Sequence, residues 1–202
     1  ANRVDTARIS HPAIVIVGSV ANYYRHHGWF ENRPLFGKRI VLTRAPSQNA
    51  EWTPQLEETG AQVLELPLIS SAPSANLEIA KEVLAGLGSY EWILFTSANG
   101  VRYFFEIFFK VFDDLRSLGF SKIGVVGKAT KSALQTFHIR SELVSKVATG
   151  EGLAEELIKL GSIENLKILV VTGNRNRDTV VQRLESAWAM VDTFPAVFFD
   201  FL

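Results

Sequence analysis

The sequence predicts an α/β protein whose sheet is mainly parallel. Short β-branched stretches alternate with amphipathic segments of helical length from Arg39 onward, and the central stretch Ile93–Phe95 is apolar at every position. Strands that alternate with helices form βαβ units, whose right-handed crossovers place helices on both faces of the sheet. A strand in such a sheet is buried on both sides, which explains an apolar run without alternation.

The elements follow one another in a regular order. β-branched residues and flanking turn signals predict strands at Ile40–Thr43, Val63–Ile69, Trp92–Thr96, Ile123–Val126, Ile168–Thr172 and Val191–Val197. Amphipathic spacing predicts helices at Gln48–Glu58, Leu77–Leu87, Gly100–Leu118, Ala129–Phe137, Leu153–Leu160 and Asp178–Ala187. A further strand-like run, Ile14–Val17, precedes an aromatic segment that ends at Pro34 and Gly37. We interpret this first part as the last strand and connecting helix of another domain.

Composition excludes several classes of protein. The chain has 202 residues, of which 47% are hydrophobic, with 21 basic and 21 acidic side chains and no cysteine. Disulfide frameworks, thiolate nucleophiles and cysteine-based zinc sites are excluded, and zero net charge argues against a broad nucleic-acid surface. The apolar run Ala13–Val17 is far shorter than the roughly 20 residues that span a membrane, and it lacks the features of a signal peptide. We expect a cytoplasmic, soluble protein that binds neither nucleic acid nor membrane.

An internal repeat adds a prediction about topology. A gapless shift of 128 positions lays residues 39–69 on 167–197 and matches Leu56 with Leu184, Ala61 with Ala189 and Pro67 with Pro195. Because proline cannot donate to a sheet ladder, we expect both second strands to leave their sheets near their prolines. The chain would then cross between two lobes near residues 67–71 and return near 195–199. Chance similarity between two ordinary βαβ units is the alternative.

The same shift places Trp188 at the position of Gly60, just after a predicted helix. A residue with left-handed backbone conformation is usual at such a helix end, and glycine adopts it most readily. Trp188 is therefore a misfit in its own copy of the repeat, unless its indole is buried against another part of the protein.

Four strand-to-helix turns carry the candidate binding chemistry. They combine small residues with side-chain donors, and three contain a cation: Thr43–Pro46, Thr96–Gly100, Gly127–Thr130 and Gly173–Arg177. Free N–H groups and the dipole at a helix N-terminus attract anions, and ligands of open α/β sheets lie at the carboxyl ends of the strands. The four turns together predict a site for a polyanion, although ordinary helix capping explains any single one.

Hydrolytic, metal and nucleotide signatures are absent from the sequence. The four histidines lack ligand spacing, and the chain contains no P-loop, no GxGxxG and no GxSxG motif. We therefore expect no cofactor and no metal ion.

Five motifs, in order along the chain, support a resemblance to a known family: Phe36–Ala45, Leu64–Ile69, Phe95–Val101, Val126–Thr130 and Gly152–Leu157. From the first of them onward the sequence resembles uroporphyrinogen-III synthase. The preceding stretch, His11–Gly18 through Trp29–Glu31, is similar to the C-terminal end of uroporphyrinogen-III C-methyltransferase. The combination resembles a piece of a bifunctional tetrapyrrole enzyme with a covalently fused methyltransferase domain.

The resemblance implies a fold of two lobes, each a flavodoxin-like parallel sheet flanked by helices, joined by two extended strands. On this map residues 1–37 are the methyltransferase tail and linker, 38–70 begin lobe 1, 71–196 form lobe 2, and 197–202 return toward lobe 1. The remainder of lobe 1 would be absent from this sequence.

The resemblance also implies an activity. The family is a cyclising lyase that converts hydroxymethylbilane, a linear tetrapyrrole with eight carboxylates, to uroporphyrinogen III with inversion of ring D. It does so without a cofactor, in the biosynthesis of heme, siroheme and cobalamin.

The residues that the resemblance assigns to the substrate's carboxylates are Thr96, Ser97, Ala98, Asn99, Gly100, Gly127, Lys128 and Ala129. The residues that would line the opening of the same substrate site are Arg44, Gly173, Asn174, Arg175 and Arg177. Thr130 is the position where the family places a side chain near the reacting rings. Val197 is a departure, because the family often has a tyrosine there, a proposed aid to loss of the hydroxyl. Either the register slips in this aromatic stretch, or the acid is lacking.

Two alternatives from other functional classes stay open. The first is a non-catalytic α/β module that binds polyanions, or a receiver-like domain. A receiver domain needs clustered acidic residues at its strand ends, where Thr43 and Thr96 stand instead. The second is a fragment that acts only as an interaction or linker segment.

Overall fold

The structure, a computed structural model, describes residues 12–23, 28–73, 77–174 and 179–201. The chain divides into two compact units, residues 1–67 and 68–202, and each is described by itself. Among the described residues no helix is long and apolar enough to cross a membrane.

The first unit contains a two-stranded parallel sheet. Its elements are β1 (Arg39–Leu42), α1 (Pro46–Asn49), α2 (Trp52–Glu58) and β2 (Gln62–Glu65). Val41 pairs with Leu64 in the ladder, and both side chains remain about half exposed. The run Ile14–Val17, predicted as a strand, forms none and is exposed. Within the described part of this unit it has no ladder partner, so the strand prediction is wrong there.

The second unit contains a six-stranded mixed sheet. Its strands are β3 (Ile69–Pro73), β4 (Trp92–Phe95), β5 (Lys122–Val125), β6 (Leu143–Val144), β7 (Lys167–Gly173) and β8 (Met190–Phe201). Its helices are α3 (Leu77–Ala85), α4 (Ala98–Phe108), α5 (Lys128–Gln135), α6 (Gly150–Leu160) and α7 (Thr179–Glu185). The predicted α/β class is confirmed.

The strand order determines at which edge of the sheet the predicted turns lie. The strands lie in the order β3-β8-β7-β4-β5-β6, and every neighbouring pair is parallel except β3 with β8. Numbered by their sequence, the five parallel strands run 3-2-1-4-5, which differs from the 2-1-3-4-5 order of a flavodoxin-like sheet. Because the winding direction changes between β4 and β7, the binding crevice of such a sheet forms at the carboxyl ends of these two strands.

Two apolar clusters cover the two faces of this sheet. Ile93 and Phe95 face a cluster with α3, α4 and α5, whereas Trp92 and Leu94 face α6 and α7. All four residues of β4 are buried, as the apolar run in the sequence predicts. On the first face, Phe104 of α4 packs edge to face against Phe95 of β4, with the ring centroids 5.4 Å apart. Truncating one of these rings to alanine would cost about 3–5 kcal/mol, so the sheet holds α4 firmly.

The helix predicted over Gly100–Leu118 is shorter in the structure. α4 ends at Phe108, and a separate 3-10 turn covers Leu115–Leu118. That turn begins at its own cap, where the Asp114 carboxylate accepts hydrogen bonds from the side chain and the backbone N–H of Arg116. These bonds lower the pKa of Asp114 to about 2.

The repeat is present in the structure with the same strand register in both copies. Arg39 pairs with Gln62 and Lys167 with Met190, so the two strand pairs superpose at a shift of 128. Gly60 and Trp188 both have positive φ, 94° and 64°. This agreement in register and helix ending favours a genuine repeat over chance similarity.

The antiparallel segment of the second unit joins β3 to the end of β8. β8 pairs with β7 as far as Val197, with an irregularity after Thr172, and residues 197–201 then pair with β3. The strand therefore changes partner two residues after Pro195 instead of ending at the proline. Residues 69–73 and 197–201 form what we call the connector ladder. At its centre Ser71 lies opposite Phe199, which is also the residue 128 positions later, two residues beyond the matched part of the repeat.

Candidate functional site

Three of the four predicted turns lie at one edge of the sheet in the second unit. They follow the carboxyl ends of β4, β5 and β7, which are parallel neighbours or next neighbours. The structure thus brings together Thr96, Ser97, Ala98, Asn99 and Gly100 with Gly127, Lys128, Ala129 and Thr130, and with Gly173 and Asn174. Arg175 and Arg177 lie outside the described residues. Arg44 belongs to the first unit, where its Nε donates to Gln48 Oε1 at 3.1 Å.

The turn before α4 combines a side-chain cap with free backbone donors. Ser97 is the N-cap, and its Oγ accepts a hydrogen bond from the Gly100 N–H at 2.9 Å. The N–H groups of Ala98 and Asn99, like those of any first helical turn, lack an intrahelical acceptor. This end of α4 therefore offers two backbone donors and the positive end of an 11-residue helix to an anion.

Gly100 is packed closely against the side-chain cap of α4. A Cβ at this position would lie 3.1 Å from Ser97 Oγ and 3.7 Å from Val171 Cγ1. A side chain at this position would therefore have to displace the Ser97 hydroxyl that caps α4.

Thr96 has a structural role in this turn. Its hydroxyl donates to the Val171 carbonyl at 2.9 Å, and its backbone N–H points to the same oxygen at 3.3 Å. These bonds extend the pairing of β4 with β7, so the Thr96 hydroxyl proton is already engaged.

The turn before α5 is open and has no side-chain cap. Gly127 is the N-cap residue in an extended conformation, and its carbonyl accepts from the Lys131 N–H at 3.0 Å. Lys128 and Ala129 are exposed, whereas Thr130 is only 3% exposed. The amides of this turn and the Lys128 ammonium form a second potential anion contact.

The residue after β7 is hydrogen-bonded to β8. The Asn174 N–H donates to the Val197 carbonyl at 2.9 Å. The Val197 side chain is 1% exposed and belongs to the apolar cluster around α4. This position therefore supplies no side chain that could donate or accept a proton.

A fourth turn at the same edge was missed by the sequence analysis. Thr149 caps α6, with its Oγ1 accepting from the Gly152 N–H at 3.1 Å. The strand before it, β6, has only two residues, so no strand signal marks the turn. Glu151 in the first turn of α6 opposes anion binding there.

A separate polar cluster lies at the opposite edge of the sheet. The Tyr90 hydroxyl donates to Asp192 Oδ2 at 2.8 Å, and Lys167 Nζ lies 3.8 Å from the same oxygen. Burial, with the bond to Asp192, raises the pKa of Tyr90 far above its usual value. The cluster borders a cavity of about 420 Å³ but lies at the amino ends of the strands, away from the turns. Among the described residues no group of acidic or histidine side chains could hold a metal ion.

Comparison with known proteins identifies related sequences. The family model described as uroporphyrinogen-III synthase HemD matches residues 50–196. The porphyrin biosynthesis protein HemD of Ruminiclostridium josui is 32% identical over 187 residues, which cover 93% of this chain and 37% of that protein. The uroporphyrinogen-III C-methyltransferase of Bacillus subtilis is 27% identical over 66% of this chain and 26% of that protein. The uroporphyrinogen-III synthase of Synechococcus elongatus is 28% identical over 81% of this chain and 61% of that protein.

A solved structure has the same fold. The chain superposes on a crystal structure of a mutant uroporphyrinogen III synthase from Thermus thermophilus with a TM-score of 0.63 at 15% identity, covering 82% of this chain and 64% of that one. The chain spans less than two thirds of the length of each of the curated relatives named above.

Proposed function

This chain belongs to the uroporphyrinogen-III synthase family, and from that premise we propose that it is part of an enzyme that cyclises hydroxymethylbilane to uroporphyrinogen III. The reaction is a lyase reaction in tetrapyrrole biosynthesis. The hydroxyl takes up a proton from solvent and leaves as water, which gives an azafulvene cation. The substituted carbon of ring D attacks this cation. The resulting spiro intermediate fragments and recloses with ring D inverted. Much of this reactivity belongs to the substrate, so the protein acts mainly by holding the linear chain in the reactive geometry.

The observation that carries the proposal is the clustering of helix-terminal turns at one sheet edge. The first turns of α4 and α5 follow adjacent parallel strands, and both present backbone N–H groups without intrahelical acceptors. A substrate with eight carboxylates needs several anion contacts at fixed separations. Backbone amides provide such contacts with little conformational freedom to lose.

We assign the side chains at this edge different roles in the proposed enzyme. Ser97 and Gly100 shape the α4 turn, whose amides at Ala98 and Asn99 would bind a carboxylate. Lys128 would add charge at the α5 turn. Thr130, buried in the third position of α5, would position the reacting rings. Gly173 and Asn174, at the end of β7, would line the opening of the same site.

The proposed enzyme has no general acid at position 197. Val197 is buried among apolar side chains, so this position would not donate a proton to the leaving hydroxyl. Position 197 thus departs from the tyrosine that the family often has.

We further propose a two-lobed whole protein whose first lobe includes residues 38–70 and whose second lobe is 71–196. The repeat supports this, because β1 and β2 have the register of β7 and β8 while Val41 and Leu64 stay half exposed. Parallel sheets are covered on both faces, so further chain would complete the first lobe. Similarity to a uroporphyrinogen-III C-methyltransferase supports a fused methyltransferase domain preceding residue 38. We propose a cytoplasmic location for this enzyme.

Equilibrium titration of the 202-residue chain with uroporphyrin III tests the proposal. We expect binding at micromolar concentration that weakens as salt is raised, because carboxylate contacts at an exposed edge are screened. Turnover of hydroxymethylbilane should be poor while lobe 1 is partial. Absence of salt-sensitive binding would count against the site. Binding without turnover by the whole protein would favour the non-catalytic alternative, whereas the family match favours an enzyme.

A further inference from the structure

A chain of three hydrogen bonds joins β3 to α4 beside the proposed carboxylate site. The Tyr103 hydroxyl donates to the Ser71 carbonyl at 2.7 Å. Ser71 Oγ lies 3.1 Å from Tyr103 Oη, and Asn99 Nδ2 donates to Ser71 Oγ at 3.4 Å. Asn99 and Tyr103 are four residues apart, so they lie on the same side of the helix.

The direction of each bond follows from counting protons. A phenol and a serine hydroxyl carry one proton each. Because the Tyr103 proton lies on the Ser71 carbonyl, the Ser71 hydroxyl must be the donor toward Tyr103 Oη. Asn99 then donates to the Ser71 oxygen, and every hydroxyl proton in the group is used. Tyr103 thus fixes the orientation of the Ser71 side chain, and Ser71 in turn fixes the orientation of the Asn99 side chain.

Asn99 is the second residue of α4, within the turn whose amides face the proposed ligand. We propose that Tyr103 is a positioning residue: through Ser71 it holds the first turn of α4 in the geometry that binds a substrate carboxylate. This inference rests on the proposed function. Tyr103 itself would touch no ligand, since its hydroxyl is committed to Ser71.

The connector ladder is hydrogen-bonded to two of the turns at this sheet edge. Ser71 lies opposite Phe199 in the ladder, and Asn174 N–H donates to Val197, which lies opposite Pro73. The turn after β4 and the turn after β7 are therefore both hydrogen-bonded to the same pair of strands. Shifting the ladder would move both turns together.

Tyr90 provides a matched control for Tyr103. It is the other described tyrosine of the second unit, its hydroxyl also donates one short hydrogen bond, and it lies at the opposite edge of the sheet. Tyr90→Phe and Tyr103→Phe should lower the melting temperature by similar amounts. Only Tyr103→Phe should weaken uroporphyrin III binding, about 3- to 10-fold, which corresponds to the loss of about one hydrogen bond between the turn and the ligand. Tyr90→Phe should change the affinity less than about twofold.

Two further measurements separate positioning from general destabilisation. Hydrogen exchange of the Gly100 and Val101 amides, both bonded to Ser97, should be faster in ligand-free Tyr103→Phe than in Tyr90→Phe. Ser71→Ala should weaken binding as Tyr103→Phe does, whereas Ser71→Thr, which keeps the hydroxyl, should restore it.

The two ideas fail in different ways. If the unmodified chain does not bind uroporphyrin III, the proposed function fails, and amide exchange alone decides whether Tyr103 positions the turn. If Tyr103→Phe binds as tightly as Tyr90→Phe, or leaves exchange at Gly100 and Val101 unchanged, the positioning role is overturned.

Discussion

Trp188 is held in a backbone conformation that side chains disfavour. Its φ is 64°, and its N–H donates to the Glu185 carbonyl at 2.9 Å, in the same way that Gly60 N–H donates to Glu57. Its side chain is 77% exposed in the structure. The indole therefore gains little burial that would offset the strain of the left-handed conformation.

Replacing Trp188 with glycine should stabilise the chain by about 1 kcal/mol, because glycine adopts positive φ without a Cβ clash. Thermal melts of both proteins measure this. Asn165→Gly is a suitable control, since Asn165 also has positive φ, 60°, but asparagine tolerates that region and the gain should be smaller. A clear fall in melting temperature for Trp188→Gly would mean that the indole is a packing anchor.

This residue shows how far a repeat in the sequence can predict conformation. Glycine after a helix predicts a left-handed residue, and tryptophan by itself does not. The left-handed conformation of Trp188 is therefore predicted only through its alignment with Gly60 in the gapless shift. Exposure of its side chain depends on which other elements surround the helix end, and the local sequence contains no information about them.

At the scale of elements, the helix N-termini at the sheet edge were predictable from the strand–turn–helix pattern. Element lengths were less so. Phe109, Val111 and Phe112 continue an apolar spacing past Phe108, where α4 ends, and periodicity alone cannot show that these residues belong to a turn. β6 is defined by pairing with β5, and two residues are too few to signal a strand.

The turn before α4 should respond differently to loss of its cap and to loss of its glycine. Ser97→Ala removes one hydroxyl and should weaken uroporphyrin III binding by about 0.5–1.5 kcal/mol. Gly100→Leu should weaken it more, because its side chain would meet Ser97 Oγ and Val171 and displace the amides. Titration calorimetry of both variants measures the difference.

Thr149→Ala serves as the control for that comparison. It removes the equivalent cap from α6 and should reduce stability by about 1 kcal/mol, as Ser97→Ala does, without altering binding. Equal, large losses of affinity for Ser97→Ala and Gly100→Leu would indicate that the serine side chain, not the backbone amides, binds the ligand.

At the scale of the molecule, the two copies of the repeat share a register but differ in burial. Leu169 is fully buried beneath helices, whereas its equivalent Val41 is about half exposed, as is the neighbouring Leu64. The sequence could predict the shared topology, since both copies contain the same pattern. It could not predict the difference in burial, because that depends on the elements available to cover each face.

Native-state hydrogen exchange should reveal this difference. Amides in β1 and β2 should exchange about 10- to 100-fold faster than the equivalent amides in β7 and β8, the range expected when one apolar side chain remains uncovered. Comparing residues 128 positions apart removes most effects of local geometry. Equal protection in the two copies, independent of protein concentration, would contradict the prediction.

The connector ladder pairs the five residues that end and follow one copy of the repeat with the five that end and follow the other. At its centre Ser71 faces Phe199, the residue 128 positions later in the chain. An antiparallel ladder centred on equivalent positions has local twofold symmetry, which is the geometry of an isologous contact between identical subunits. A single ancestral copy could therefore have made the same contact with a second molecule of itself. Duplication and fusion of its gene would then have converted a homodimer interface into a covalent connection, leaving Ser71 and Phe199 free to diverge.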